Sequence, residues 1–183
     1  MSRFVFLDRD GTLVRDTGYP HKLEHYELLP GVGSALRRLR AAGYRLAIVT
    51  NQSGIGRGIF DEDAFERFQA ALLADLARAD VAIERTYHCP HAPSAGCGCR
   101  KPEPGLLWRA RDELGANLAA SWVIGDAVSD VALAARAGCR GAVRLAGTGD
   151  ATPPAERPST YAEAVGLPEA ADHILSRGSD PSF

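Results

Sequence analysis

The chain contains no apolar run approaching the ~20 residues needed to cross a bilayer, and this excludes a spanning helix. It also carries no surplus of positive charge. With 21 Lys and Arg against 23 Asp and Glu, the formal net charge is −2, so no basic field exists to draw nucleic acid or an anionic membrane surface. The start, Met1 to Leu7, meets charged Asp8 and Arg9 too soon for a signal-peptide core and lacks a small-residue cleavage site; the expectation is a cytoplasmic protein. Cysteine is scarce as well. Of the four present, three crowd into Cys89 to Cys99 beside a histidine, which fits metal ligation better than a disulfide framework. What remains is ordinary for a soluble domain: 45% apolar and 24% charged residues. The length of 183 residues suits one domain, residues 1–183, with a core over about 4–146. There is no internal repeat, and no long exposed apolar stripe that would require a partner copy, so a monomer is expected.

Short β-rich runs alternate with helical patterns. Phe4 to Leu7, Leu46 to Val49, Ile83 to His88, Trp122 to Ile124 and Gly141 to Leu145 read as strands. Val32, Ala35, Leu36 and Leu39 recur at helical spacing before Gly43. A long helix is expected from about Asp61 to Ala79, with Phe65, Phe68, Leu72 and Leu76 on one face and Asp61 as N-cap. Further helices are expected from Pro104 and over Val128 to Ala137. Gly147 to Pro158 reads as a loop, Ala171 to Leu175 as an edge strand, and the last residues as frayed. The fold class is therefore α/β: one Rossmann-like domain with a mainly parallel sheet, helices on both faces and no room for a cap domain.

In such a sheet ligands bind at the carboxyl ends of the strands, where the polar clusters of this chain sit. Asp8 and Asp10 leave the first strand two residues apart, so an extended chain would aim both to one side. One carboxylate can attack phosphorus and the other can exchange protons with leaving group and water; a capped turn would use the same residues. Thr50, Asn51, Gln52 and Ser53 end the second strand in donors suited to phosphate oxygens, or to a turn of their own. Arg100 and Lys101 offer two cations just before a helix. Asp126 follows another buried strand, and with Asp8 and Asp10 makes an all-oxygen set suited to Mg²⁺. Asp130 reads equally as support behind the metal or as a first-turn helix residue.

Cys89-Pro90-His91 and Cys97-Gly98-Cys99 are separated by five residues. Three thiolates and an imidazole form a closed tetrahedral set, the pattern of structural Zn²⁺. This zinc loop, residues 89–99, ends one residue before Arg100 and would orient both cations. Cys139 reads as a small buried apolar residue.

The ordered motifs D-R-D-G-T, V-T-N-Q-S, C-R-K-P and I-G-D-A-V-S-D resemble the haloacid dehalogenase superfamily of phosphatases over roughly residues 4–146. The resemblance implies Asp8 as nucleophile, Asp10 as general acid and base, Thr50 and Lys101 as phosphoryl stabilisers, and Asp126 with the Asp10 carbonyl as Mg²⁺ ligands. Within the superfamily a zinc loop of this kind is similar to two branches, one acting on a heptose bisphosphate and one on histidinol phosphate. Asp16 to Tyr19, Leu29-Pro30-Gly31-Val32 and Asn51 to Gly58 look like the first. That branch implies a small phosphorylated sugar as substrate. It also implies substrate contacts from Asp16, Thr17, Gly18, Tyr19, Thr50, Asn51, Gln52, Ser53, Arg100 and Lys101. Ala127 stands where many relatives carry a basic residue, so no phosphate contact is expected from it. A zinc-stabilised binding module without turnover is the non-enzymatic alternative; it would have no need of Asp8, Asp10, Lys101 and Asp126 together.

Overall fold

The computed structural model describes residues 2–146 and 151–178. Its four inner strands are buried on both faces, which is why they read as largely apolar runs rather than as polar–apolar alternations. They are β1 Phe4–Leu7, β2 Arg45–Asn51, β3 Arg85–Cys89, β4 Trp122–Gly125, β5 Gly141–Leu145 and β6 Thr160–Ala164. All pairings are parallel and the order is β3-β2-β1-β4-β5-β6. The connection changes direction between β1 and β4, and at such a reversal the loops part and leave a crevice above the strand ends.

Successive side chains divide between the two faces. Val5, Leu7, Leu46, Ile48, Trp122 and Ile124 pack under α1 (Val32–Ala41), α3 (Glu62–Arg78) and α6 (Leu167–Gly178). Phe4, Phe6, Ala47, Val49 and Val123 pack under α4 (Gly105–Leu114) and α5 (Val128–Arg136). Burying a leucine-sized side chain is worth roughly 1.5–3 kcal/mol, so these apolar stripes, rather than helix propensity, hold the layers. A single turn, α2 (Ser53–Gly56), follows β2. Among the described residues there is no second unit, and no helix long and apolar enough to cross a membrane.

Two boundaries move from their sequence expectation. The third strand runs on to Cys89, which seats the first cysteine of the cluster on a strand end. Ala171 to Leu175 is not an edge strand but the middle of α6, where Ala170, Ala171 and Ile174 are buried at helical spacing; the edge strand is β6. Glu169 closes the start of α6 by accepting from the Val165 amide at 2.8 Å. Of the expected loop, Ala151 to Pro158 contains a short 3₁₀ turn at Pro154–Glu156, while Gly147 to Asp150 lie outside the described residues, as do the last residues, Ser179 to Phe183.

Asp61 does cap α3, its Oδ1 accepting from the Ala64 amide at 2.8 Å. Asp61→Ala is expected to cost about 1 kcal/mol of stability, read as a lower urea midpoint with unchanged slope. An unmoved midpoint would show the cap to be idle.

Candidate active site

The ends of β1, β2 and β4 converge on one cleft of about 360 Å³, lined by Asp8, Asp10, Asp16, Gly18, Tyr19, Thr50, Asn51, Gln52, Lys101, Asp126, Ala127, Ser129 and Asp130. Asp8 sits where β1 ends, its amide bonded to the Ile124 carbonyl of β4 at 2.9 Å. Gly11 lets the chain turn there. Its φ is +77°, and a Cβ at this position would lie 2.2 Å from Asp126 Oδ2, so only glycine brings the two acidic segments this close.

At the floor of the cleft Lys101 Nζ donates to Asp8 Oδ1 at 2.6 Å, to Asp130 Oδ1 at 2.7 Å and to the Val49 carbonyl at 3.1 Å. Lys101, Asp8 and Asp130 are all buried. Burial alone would favour a neutral amine; the charges of Asp130 and Asp8 outweigh it and hold the lysine pKa above its usual value. Burial raises Asp130, against the pull of Lys101. Asp130 also accepts from the Ala127 amide at 3.1 Å. It therefore serves both as helix-start residue and as the second anion on Lys101.

Asp8, Asp126 and Asp130 each offer an oxygen within 4.8 Å of one another, a hard, all-oxygen set of the kind that fits Mg²⁺. The Asp10 carboxylate points elsewhere, to Arg9 and Gln52, so only its backbone carbonyl is left to serve as a ligand. Burial is the largest cause raising the Asp10 pKa, with Arg9 opposing it and the Asp8 charge adding to it; an upward shift is the direction that suits a carboxyl to acid–base work.

The expected substrate contacts divide. Asp16, Gly18, Tyr19, Thr50, Asn51, Gln52 and Lys101 line the cleft, whereas Thr17, Ser53 and Arg100 are not on its wall. Ser53 is buried at the start of α2. Arg100 is half-buried, with Nη1 enclosed and without a partner. Asn51 clips Lys101 in place, its Oδ1 accepting from the Lys101 amide at 3.0 Å and its Nδ2 donating to the Lys101 carbonyl at 3.2 Å. Ser129 joins the wall without having been read from the sequence. Arg9 was not read either; it lies one layer below the wall, bonded to Asp10 and Gln52, and its opposite strand parity from Asp8 and Asp10 was the available signal.

Cys89, His91, Cys97 and Cys99 form the second cluster. The sulfur–sulfur separations are 3.3–3.5 Å, and His91 Nδ1 lies 3.5 Å from Cys89 Sγ and 3.3 Å from Cys99 Sγ. Those edges approach the tetrahedron that bonds of about 2.3 Å to sulfur and 2.0–2.1 Å to nitrogen would span, so the four fit a structural Zn²⁺. Cys139 is buried within the core, as expected.

Residues 98–168 match the family model described as "HAD-hyrolase-like". The chain is 44% identical over 149 residues, 76% of its length and 78% of the relative's, to the D-glycero-beta-D-manno-heptose-1,7-bisphosphate 7-phosphatase of Escherichia coli K12. It is 45% identical to that of Salmonella typhi over 140 residues, 73% of this chain and 74% of the relative. The chain belongs to the family of these phosphatases, within the haloacid dehalogenase superfamily. Among solved structures it resembles the D,D-heptose 1.7-bisphosphate phosphatase from B. bronchiseptica complexed with magnesium and phosphate. The TM-score is 0.82 and the identity 27%, covering 96% of this chain and 99% of that one. The corresponding enzyme from Burkholderia thailandensis gives a TM-score of 0.70 at 27% identity, covering 95% and 99%. Relatives at this identity bear the name of enzymes, which favours the phosphatase over the binding-module alternative.

Burial, followed by the Asp8 charge, lifts Asp126 to about 6. Above that pH it is an anion ready for a cation; below it a proton competes. Divalent-cation affinity of this phosphatase, measured by calorimetry, is expected to fall from pH 7.5 to 5, about tenfold per unit once below the Asp126 pKa. A flat profile would remove Asp126 from the cation site.

Proposed function

We propose that this phosphatase removes the C7 phosphate of D-glycero-D-manno-heptose 1,7-bisphosphate through an aspartyl-phosphate on Asp8, in the supply of lipopolysaccharide precursors. The observation that carries the chemistry is the buried Lys101 ammonium shared by Asp8 and Asp130 beside Asp126. The substrate rests on the 44% identity to 7-phosphatases of that name.

In this reading Lys101 fixes Asp8 by its Oδ1 contact, so the carboxylate meets phosphorus in one orientation. The bond from phosphorus to the sugar oxygen breaks as the Asp8–phosphorus bond forms, and Asp10 gives the sugar oxygen its proton. Asp10 then takes a proton from the water that displaces Asp8. Thr50, aligned by Gln52 Nε2 at 2.9 Å, and Lys101 meet the phosphoryl oxygens. A Mg²⁺ held by Asp8, Asp126 and the Asp10 carbonyl would neutralise the charge of the transferring group. The cleft is open, which leaves the sugar to the loop Asp16 to Tyr19 and to Asn51. Zn²⁺ on Cys89, His91, Cys97 and Cys99 would brace the chain leading to Arg100 and Lys101. Exposed large apolar side chains, among them Tyr19, Leu73, Trp108 and Val165, lie on separate elements, which supports a monomer. One domain over residues 1–183, working in the cytoplasm, completes the proposal.

With Mg²⁺ present, kcat/KM is expected to favour the heptose bisphosphate strongly over histidinol phosphate, with release from C7 and none from Asp8→Asn. Preference for histidinol phosphate would overturn the substrate and leave the chemistry standing.

Arg100 is proposed to meet the phosphate at the far end of the sugar; its half-buried side chain directly precedes Lys101 at the end of the cysteine cluster, which supports that. Arg100→Ala is expected to raise KM for the bisphosphate more than for a small monophosphate. Equal increases would remove this role.

A further inference from the structure

The guanidinium of Arg9 is the largest charged group in the core, 0% exposed, and the chemistry above gives it no task. Burying a cation is costly unless it is paired and hydrogen-bonded, and Asp10 is the one anion that Arg9 bonds, through two of its three nitrogens, while Nη1 is enclosed without a partner. Arg9 Nε donates to Asp10 Oδ1 at 2.7 Å and Nη2 to Asp10 Oδ2 at 3.0 Å. Nη2 also reaches the Pro20 carbonyl at 2.9 Å and Gln52 Oε1 at 3.1 Å. Gln52 turns its amide nitrogen back to Asp10 Oδ2 at 3.0 Å and to Thr50 Oγ1 at 2.9 Å. The other side of the fork has aromatic neighbours, its carbon lying 4.8 Å from the Phe68 ring centre and 5.4 Å from that of Phe65. Helix α3 thus backs the arginine with π-faces while the arginine grips a carboxylate at the cleft wall.

We propose that Arg9 is a positioning residue that sets the rotation of the Asp10 carboxylate and presents Oδ1 as the proton-carrying atom. Asp10 Oδ2 accepts from both Arg9 and Gln52, whereas Oδ1 accepts from Arg9 Nε alone. Oδ1 therefore retains the free lone-pair direction, and the two-point grip prevents the carboxylate from exchanging its oxygens. Arg9 itself moves no proton. The proton on Oδ1 passes to the sugar oxygen as the bond from phosphorus to that oxygen breaks, and Oδ1 later receives one from the attacking water. A planar fork suits this task; an ammonium could bond one oxygen but could not fix the plane. Through Gln52 the same grip reaches Thr50, so the proton donor and a phosphate-facing hydroxyl share one frame.

This inference rests on Asp10 acting as the general acid, and the test separates the two. kcat/KM reports steps up to aspartyl-phosphate formation, where a sugar alkoxide needs a proton and p-nitrophenolate does not. Both substrates are assayed with Mg²⁺ on the full chain, wild type, Asp10→Asn, Arg9→Met and Arg9→Lys. The Arg9→Met enzyme is expected to lose about 100-fold on the heptose bisphosphate, within the range of general-acid contributions. Its loss on p-nitrophenyl phosphate should be under about 5-fold. Arg9→Lys keeps the buried charge and safeguards folding; it should show the same selectivity, at least about 10-fold. Losses that are equal on the two substrates would mean that Arg9 only braces the Pro20 loop and the fold. An Arg9→Lys enzyme with wild-type values on both would show that charge without the fork suffices. Either result overturns the proposal. Should Asp10→Asn itself show no leaving-group selectivity, it is the acid–base reading of Asp10 that fails.

Discussion

The site depends on one buried ammonium held between two carboxylates. Lys101 Nζ sits within 2.7 Å of both Asp8 and Asp130, and neither acid could be buried at that depth uncompensated. Remove the cation and two anions face each other across a dry floor; remove Asp130 and the lysine is free to close on Asp8 alone. The pairing therefore fixes the orientation of Asp8 through a cation that it shares with Asp130. Asp130 is fixed in turn by the geometry of α5, where its second oxygen closes on the Ala127 amide. Gly125 permits this, since a Cβ there would lie 2.2 Å from the Asp130 carboxyl carbon.

Lysine is a poor choice for a fixed point unless its backbone is held, because its side chain has four rotatable carbons. The chain meets this need from two directions. Asn51, at the end of β2, bonds both backbone groups of Lys101, and the four-ligand knot closes two residues earlier at Cys99. That knot is itself sewn to the site wall, since the Cys89 carbonyl accepts from the Gln52 amide and the Pro90 carbonyl from the Gly56 amide, each at 2.8 Å. The metal loop and the catalytic strand end are mechanically one piece, and for that reason a loop can carry a residue whose position matters to a fraction of an ångström.

Much of this was legible beforehand, and the reasons differ by element. Asp8, Thr50 and Asp126 were readable because each follows a short apolar run, and parallel strand ends meet by topology. The cysteine knot was readable because its ligands are close in sequence. Ala171 to Leu175 was misread because five residues, with Asp172 and His173 among them, are too few to distinguish strand from helix by period; the helix shows only when Leu167 and Ala170 are counted with Ile174. Asp130 stayed ambiguous because its two roles use separate oxygens. Arg9 was passed over because a charged residue on a core-facing parity looks like an error until Phe65 and Phe68 are known to lie over it. Arg100 differs, since adjacency to Lys101 in sequence did not put it on the same wall.

The balance of charge in the cleft explains why the site needs help to accept its substrate. Asp8, Asp10, Asp16, Asp126 and Asp130 line it against a single lysine, and that lysine is already shared. A phosphate dianion entering such a wall is repelled, and at low local dielectric the repulsion between unit charges a few ångströms apart amounts to several kcal/mol. The same surplus of carboxylates is what draws a divalent cation. The crowding already shows without one, because burial and the Asp8 charge lift Asp126 to about 6 and burial raises Asp10. Cation and phosphate are consequently coupled: each lowers the electrostatic cost of the other, and neither is held well alone. An open cleft can be selective on these terms, since a phosphoryl group binds where a cation has already reversed the sign of the wall.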